Sequence, residues 1–285
     1  MVNTIGNPLT WGAEAIGLAG HKVAKATAHV QSSRVNNPPN VRKIGLEDLS
    51  YALRMGVKDF AAFRSDVMFL VLLYPIIGMI MAWFAFHSNL AHFMFPLASG
   101  FALLGPVAGI GLYELSRRRE MGVHATWSDA FTVLRAPSVG PMVVLGAYLL
   151  GMFSIWMITA HAIYTATMGP DLPTTTMGFV RDVFGTEGGA AMMVIGIPIG
   201  AVFAVIVLAV SVVSFPLLLD RDVGLPVAVA TSLKVTAKNP VTIGAWGVIV
   251  AALLAVGSLP LFLGLIVVMP ILGHATWHLY RRAID

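Results

Sequence analysis

Six long runs of apolar residues constrain the fold more than any other feature of this sequence. A helix that crosses a bilayer needs roughly 20 mainly apolar residues. The 285 residues are 57% hydrophobic and only 11% charged, whereas a soluble domain carries about 25% charged residues. The runs that fit a membrane span are Val67–Phe86, Phe93–Tyr113, Met142–Ile163, Ala190–Leu219, Thr242–Ser258 and Leu261–Tyr280. The sequence therefore predicts an all-α polytopic membrane protein with six transmembrane helices.

The basic residues are distributed unevenly between the two ends of these runs. Only Arg181, of the 18 lysines and arginines, falls in the loop between the third and fourth runs. The others fall before the first run, in the second-to-third and fourth-to-fifth connections, or at the C-terminus. Because basic residues concentrate in cytoplasmic connections, we expect a multi-pass protein of the bacterial inner (cytoplasmic) membrane with both termini cytoplasmic. The net charge of +4 then reflects topology and predicts no nucleic-acid partner.

Two of the runs end in the same way, which indicates an internal repeat. The segments 105–120 (GPVAGIGLYELSRRRE) and 269–284 (MPILGHATWHLYRRAI) share a proline, a glycine three residues later and a double arginine. A short segment that ends in Leu and a basic residue precedes each pair of runs, at Leu46–Arg54, Trp127–Arg135 and Pro226–Lys234. Such segments suit helices that lie in the headgroup plane. The pattern predicts three repeated units, each an amphipathic helix followed by a two-span hairpin.

The chain divides into two parts by composition. Residues 1–40 form an N-terminal cytoplasmic arm and linker, with a predicted helix from Thr10 to about Val30 followed by the linker Gln31–Asn40. Residues 41–285 form the six-helix membrane domain with its interfacial amphipathic helices. Two roles stay open for the arm, which either binds a partner or lies on the membrane surface.

The segments VRKIGLEDLSYALRMGVKDFAAFRSD (41–66) and PLFLGLIVVMPILGHATWHLYRRAI (260–284) carry a family resemblance. Together with the six runs, they resemble the bacterial domain of unknown function 2189 family, a group of integral membrane proteins. Some members are labelled as cytochrome c oxidase components. The resemblance covers about Val41 to the C-terminus. It implies a membrane protein and, through that label, an accessory or assembly component of a respiratory complex, and it transfers no functional residues.

The histidines do not suit a catalytic oxidase subunit, which needs haem and copper ligands from several helices within the membrane. The eight are His21, His29, His87, His92, His124, His161, His274 and His278, and none lies near the middle of a run. His274 and His278 are one turn apart and could share a metal. Their one acidic helper would be Glu114, provided that the second and sixth runs face each other. We favour packing or interfacial histidines and expect no cofactor and no metal.

Prolines within the runs predict kinked helices, because a proline lacks the amide that would bond to the preceding turn. The candidate kinks are Pro75, Pro106, Pro198, Pro216 and Pro270. The interiors of the runs hold no Asp, Glu, Lys or Arg, whereas ion-coupled carriers usually bury an ionisable group there. A transporter or channel for a small uncharged molecule or a lipid therefore stays open as the alternative function.

Two glycine pairs indicate close contacts between helices. Gly105 with Gly109, and Gly196 with Gly200, have the spacing that lets a neighbouring helix approach closely. Packing within the chain is the favoured use, and contact with a partner is the other. The sequence lacks cysteine and shows no catalytic constellation with diagnostic spacing. The leading hypothesis is a non-catalytic protein, in contact with membrane lipids, that binds other integral membrane proteins.

The predicted topology can be tested with reporter fusions. Reporters placed after Arg119, Lys238 and Asp285 should read as cytoplasmic, because those positions follow basic segments. A reporter within 171–188 should read as external. A reversed reading at any of these four positions would contradict the six-span arrangement.

Overall fold

The computed structural model describes residues 39–71, 91–103, 105–171, 173 and 175–285, together with 76, 78–80 and 83. The predicted arm helix, most of the linker, Pro75 and half of the first predicted span lie outside the described residues. Within these residues the fold is all-α, as the sequence predicts, and the one β-bridge joins Val41 to Ile284.

The described helices are connected by short turns. In chain order they are α1 (Leu46–Val71), a 3₁₀ turn (Ala91–Phe93), α2 (Met94–Leu103), α3 (Gly105–Ala108), α4 (Ile110–Glu120), a 3₁₀ helix (Trp127–Arg135), α5 (Val139–Met168), α6 (Thr176–Gly185), α7 (Glu187–Ser211), α8 (Ser214–Asp220), α9 (Leu225–Lys238), α10 (Pro240–Ser258) and α11 (Leu265–Ala283).

Three helical stretches in the described part of the chain are long and apolar enough to cross a membrane. They are Val139–Met168, Glu187–Asp220 and Pro240–Ser258. They correspond to the third, fourth and fifth predicted spans. The class of membrane protein is thus confirmed, whereas the count of six spans and the threefold repeat stay predictions.

The second and sixth predicted spans differ from the helices observed. Within the described residues, the second is helical at 94–103 and 105–108, is interrupted by a turn at Gly109 close to Pro106, and continues as α4. The sixth begins at Leu265, because residues 259–264 form a turn in which Leu261 and Phe262 have positive φ angles of 51° and 64°. Proline and turn conformations interrupt helices that hydropathy alone reads as continuous.

The three amphipathic segments take three different forms. The first lies within α1 and continues beyond Arg54 to Val71, and the third lies within α9. The second, Trp127–Arg135, is a 3₁₀ helix whose start is fixed by a capping box between Thr126 and Asp129. All three are helical, but only two are α-helices.

Helix α1 packs closely along α11. A Cβ atom added at Gly56 would lie 2.6 Å from the carbonyl oxygen of Ile271 and 2.9 Å from the amide nitrogen of Ala275. Only glycine permits that approach, because a side chain would overlap the backbone of α11. In turn, Gly273 of α11 faces Leu112 of α4, with 2.5 Å between the added Cβ and Cδ1. Helices from the second and sixth predicted spans therefore face each other.

The start of the described chain is tied to its end. The Arg42 amide donates to the Ala283 carbonyl at 2.8 Å. The Asn239 side chain accepts from the Ile44 amide at 2.9 Å. These bonds hold α1 against α9, α10 and α11, and so position the polar residues at this end of the bundle.

Candidate functional site, a buried polar cluster and its cavity

Three helices meet around a buried carboxylate at one end of the bundle. Asp59 of α1, with 2% of its surface exposed, lies beside Ser116 of α4 and His278 of α11. His274, one turn before His278, is fully buried next to Ser116. With Arg119, these residues form what we call the Asp59 cluster.

Helical periodicity explains why α1 directs Asp59 inward. Leu49, Ala52, Gly56 and Asp59 are buried and follow one another along this helix at spacings of three and four residues. They therefore share one face, which packs on α11. On α11, the i, i+4 spacing places both histidines on the face that meets α1 and α4.

Both carboxylate oxygens of Asp59 accept hydrogen bonds. Oδ1 accepts from Arg119 Nη1 at 2.8 Å. Oδ2 lies 2.8 Å from His278 Nε2 and accepts from the Ser116 hydroxyl at 2.5 Å. A buried carboxylate needs such partners, because the removal of an unpaired ion from water costs several kcal/mol.

These bonds assign the tautomers of the two histidines. The single hydroxyl proton of Ser116 goes to Asp59, so Ser116 accepts from His274 Nδ1 at 2.8 Å. His278 carries its proton on Nε2, which faces the carboxylate. The Asp59 cluster is thus a directed chain of hydrogen bonds from two imidazoles and a guanidinium to one carboxylate.

Burial raises the pKa of Asp59, but the hydrogen bonds from His278 and Ser116, together with the nearby histidine rings, lower it by more. The net pKa lies below its ordinary value of 3.8. Asp59 precedes the first predicted span. Because its pKa lies below 3.8, the carboxylate is ionised at neutral pH. Its charge stabilises the folded state through these bonds.

The cluster differs from a Ser–His–Asp triad. In a triad the histidine takes the serine proton and bonds to the aspartate through its other nitrogen. Here Asp59 bonds directly to Ser116 and to a second histidine, His278, and Ser116 is only 1% exposed. The geometry therefore suits a brace between helices better than a nucleophile.

A cavity of about 350 Å³ opens beside the cluster. We call it the polar cavity. Its lining comprises Asp59, Ser116 and His278 at the cluster, the charged residues Arg119, Glu120, Arg281 and Arg282, and the side chains of Tyr51 and Met55. Three guanidinium groups thus line one space at the ends of α4 and α11.

The cavity's arginines also bond to carboxylates. Arg281 bonds to Glu120 at 3.0 Å, and Arg282 bonds to Asp48 at 2.6 Å and lies over the Tyr51 ring at 5.2 Å. Burial raises the pKa of Asp48, but bonds from the Gly45 amide and Arg282 leave it below its ordinary value. The cavity wall is therefore built from paired charges.

Glu114, the one possible acidic helper of the histidines, is engaged by other residues. The second and sixth predicted spans do face each other, but Glu114 pairs with Arg117 and Arg118, each at 2.8 Å. Asp59, 219 positions before His278, takes the helper's place. An Asp within the buried stripe of an amphipathic helix was the signal that could have identified it.

A group of aromatic rings lies near the start of α2 and the end of α5. The buried His92 ring stacks on Tyr164 at 4.5 Å and lies 5.6 Å from the His161 ring. Burial lowers the pKa of His92, and neighbouring His161 lowers it further. Among the described residues, no group of three or more His, Asp or Glu side chains is arranged to hold a metal.

The candidate glycines have different surroundings. Gly200 faces the Trp156 ring, 3.0 Å from an added Cβ, and Gly196 faces Ile163 at 3.9 Å. Gly109, in the turn before α4, lies beside Tyr113 of α4. Gly105 has nothing within 4 Å among the described residues. In the structure Gly196 and Gly200 therefore face α5, which leaves Gly105 the most open of the four.

The candidate prolines fall into two groups. Pro198 and Pro270 lie inside α7 and α11, where each removes a helical hydrogen bond. Pro106 and Pro216 lie in the short helices α3 and α8, each within three residues of a turn, at Gly109 and at 212–213.

A family model described as "Predicted integral membrane protein (DUF2189)" matches residues 94–220. The resemblance to this family is confirmed, over a shorter region than Val41 to the C-terminus. The match includes Ser116 and Arg119 of the Asp59 cluster and leaves out α1 and α11. No curated protein and no solved structure matched the chain.

The bracing role of Asp59 can be tested by Asp59→Asn, which keeps the size of the side chain and removes its charge. We expect the unfolding free energy to fall by about 1–3 kcal/mol near neutral pH, because Asn keeps only one acceptor oxygen and places an NH2 group against a buried donor. Ser116→Ala should cost less, because it removes one hydroxyl. Thermal unfolding of the purified protein, followed by tryptophan fluorescence, measures both.

The pH dependence of the stability difference tests whether the effect comes from the charge of Asp59. Since the folded pKa of Asp59 lies below 3.8, its contribution is complete above that pH and is lost as the pH falls through the folded pKa. The difference between wild type and Asp59→Asn should therefore shrink on acidification. A difference that stays constant would contradict a charge-based brace.

Proposed function

We propose that this chain is a non-catalytic integral membrane protein that assembles with other integral membrane proteins. A respiratory complex of the cytochrome oxidase type is the partner class implied by the family resemblance. We place the protein in the bacterial inner membrane with six spans in three units and both termini cytoplasmic. The clustering of arginines at one end of the bundle supports that orientation; they are Arg117–Arg119, Arg221, Arg281 and Arg282. Arg181 lies apart from them on α6, in the connection between α5 and α7.

The open face of α5 is the observation that carries the proposal. Only 22% of its most apolar 18-residue window is buried. Ala147, Gly151 and Ser154 are exposed at spacings of four and three residues, so they form one small-residue face. A Cβ atom added at Gly151 would meet nothing within 4 Å among the described residues.

A small-residue face in a membrane favours contact with another helix. Lipid tails are as apolar as leucine, so helices associate through close packing rather than through burial from water. Small side chains let the two backbones approach and increase the dispersion contacts between them. The α5 face meets that requirement, whereas Gly196 and Gly200 are already covered by α5.

The partner face can be tested by Gly151→Leu. A bulky side chain should separate the helices, so partners that co-purify with the wild-type protein in mild detergent should be lost or strongly reduced. Quantitative mass spectrometry of the purified complexes measures this. Gly244→Leu is the matched control, because Gly244 on α10 also has open space around it.

Folding is monitored separately by size-exclusion chromatography and thermal unfolding. Retention of every native partner by well-folded Gly151→Leu protein would exclude the α5 face as the contact. Equal loss in Gly244→Leu would show that the effect is not specific to α5.

Transport of a small uncharged molecule or a lipid is the second candidate, favoured by the broken helices. A turn at Gly109, close to Pro106, interrupts the helical segment 105–120, and Pro270 interrupts the hydrogen bonding of α11. Unbonded backbone groups at such breaks can bind a substrate. Spans without ionisable residues in their interiors suit an uncharged cargo.

The transport proposal predicts that Pro270→Ala lowers flux, because a continuous helix satisfies the freed carbonyl. Proteoliposomes would be assayed for glycerol entry and for translocation of a fluorescent phospholipid. Pro240→Ala is the control, since Pro240 begins α10 and removes no helical bond. Wild-type flux equal to that of empty vesicles with both probes would contradict this function.

A further inference from the structure

We propose that the polar cavity binds a phosphate group, carried either by an anionic lipid or by a free phosphate compound. This inference goes beyond partner assembly and does not depend on it. It rests on the composition of the cavity, on the unused donors of its arginines and on its place at the polar end of the bundle.

The carboxylates around the cavity are already engaged by protein donors, including Asp48 and Asp220, which pair with Arg282 and Arg281 from outside the lining. Arg119, Arg281 and Arg282 line it against two carboxylates, those of Asp59 and Glu120. Asp59 is already occupied by three donors, and Glu120 accepts bonds from Trp277 and Arg281. Both carboxylates are thus engaged by protein donors, which reduces their repulsion of an incoming anion.

Each of the three arginines keeps donors that make no hydrogen bond to the described residues. Arg119 donates only through Nη1, to Asp59 and to the Lys58 carbonyl. Arg282 donates only through Nε, and Arg281 leaves Nη2 unused. A guanidinium has five N–H donors in a planar fork that matches phosphate oxygens.

The existing ion pairs permit rearrangement around a ligand. The side chains of Arg119, Arg281 and Arg282 are 41%, 41% and 46% exposed. Glu120, the partner of Arg281, is 37% exposed, so exchange of that pair for phosphate contacts costs little. Arg119 and Arg282 can keep their bonds to the buried Asp59 and Asp48 and reach a phosphate through their unused donors. A bidentate contact with a phosphate is stronger than a single exposed pair.

The place of the cavity suits a lipid headgroup. Arg119, Arg281 and Arg282 lie at the ends of α4 and α11, at the predicted cytoplasmic surface. Basic pockets between helices on that side are suited to anionic headgroups. The Tyr51 ring and Met55 add an apolar wall, which could contact the glycerol and the start of the acyl chains.

The test measures lipid binding to the full-length protein by native mass spectrometry in detergent. Phosphatidylglycerol and phosphatidylcholine are titrated separately, and inorganic phosphate is added as a competitor. We expect phosphatidylglycerol to bind more tightly than phosphatidylcholine. Each arginine removed should weaken its binding about fivefold, which corresponds to the attraction of one basic residue for an anionic surface.

The variants are Arg281→Gln with Arg282→Gln, and the control Arg135→Gln, which removes an equivalent charge outside the cavity. The double variant should bind phosphatidylglycerol about 25-fold more weakly, whereas Arg135→Gln should bind like the wild type. Equal weakening by the control, or equal affinity for the two lipids and no effect of phosphate, would overturn the proposal.

A charge-conserving variant provides a second test if the double Gln variant does not fold. Arg281→Lys with Arg282→Lys keeps both charges and loses the planar forks, so it should bind with intermediate affinity. Wild-type affinity in this variant would exclude recognition by the guanidinium forks. Protection against thermal unfolding by inorganic phosphate alone, lost in the double Gln variant, would identify a free phosphate compound as the ligand. Protection by phosphatidylglycerol alone would identify the lipid.

Discussion

The buried carboxylate of Asp59 is the interaction on which the polar end of the molecule depends. It joins α1 to α4 through Ser116 and Arg119, and to α11 through His278. Each of these partners would lose a bond without it, and none has another acceptor of equal charge at the same distance among the described residues. Breaking such a network leaves desolvated polar groups, which is why its members act together.

The close packing of α1 on α11 makes that carboxylate's position precise. Gly56 lies one turn before Asp59 and lets the two backbones approach to within the reach of short side chains. A larger residue at Gly56 would separate the helices and lengthen the bond between Asp59 and His278. Gly56 therefore provides the close approach of the two helices, and Asp59 provides the attraction between them.

The sequence predicted the elements of this arrangement better than their contacts. Hydropathy identified α5, α7 and α10, because an apolar run of sufficient length has few alternatives to a membrane helix. The 105–120 and 269–284 segments, whose similar ends predicted a repeat, contain α4 and α11, and their contact was only a condition at the level of sequence. The sequence did not predict which acidic residue would reach His278, because that depends on the rotation of α1 about its axis.

The helix boundaries also show what sequence reasoning lacks. Pro106 and Gly109 interrupt a run that hydropathy reads as one span, and the start of α11 depends on two residues with positive φ. These features are local backbone conformations that apolar composition cannot encode. The 3₁₀ form of 127–135 is a further case, since an amphipathic pattern alone does not distinguish it from an α-helix.

The structure separates its charged groups from its exposed apolar faces, and this separation affects function. The ionic groups of the polar cavity lie at the ends of α4 and α11, whereas the small-residue face of α5 lies along the middle of a span. A headgroup in the cavity would therefore leave the face around Gly151 uncovered. The two proposed contacts use different physical forces, electrostatic attraction at one end and dispersion along the span. The two proposals therefore assign lipid and partner to different residues of the molecule.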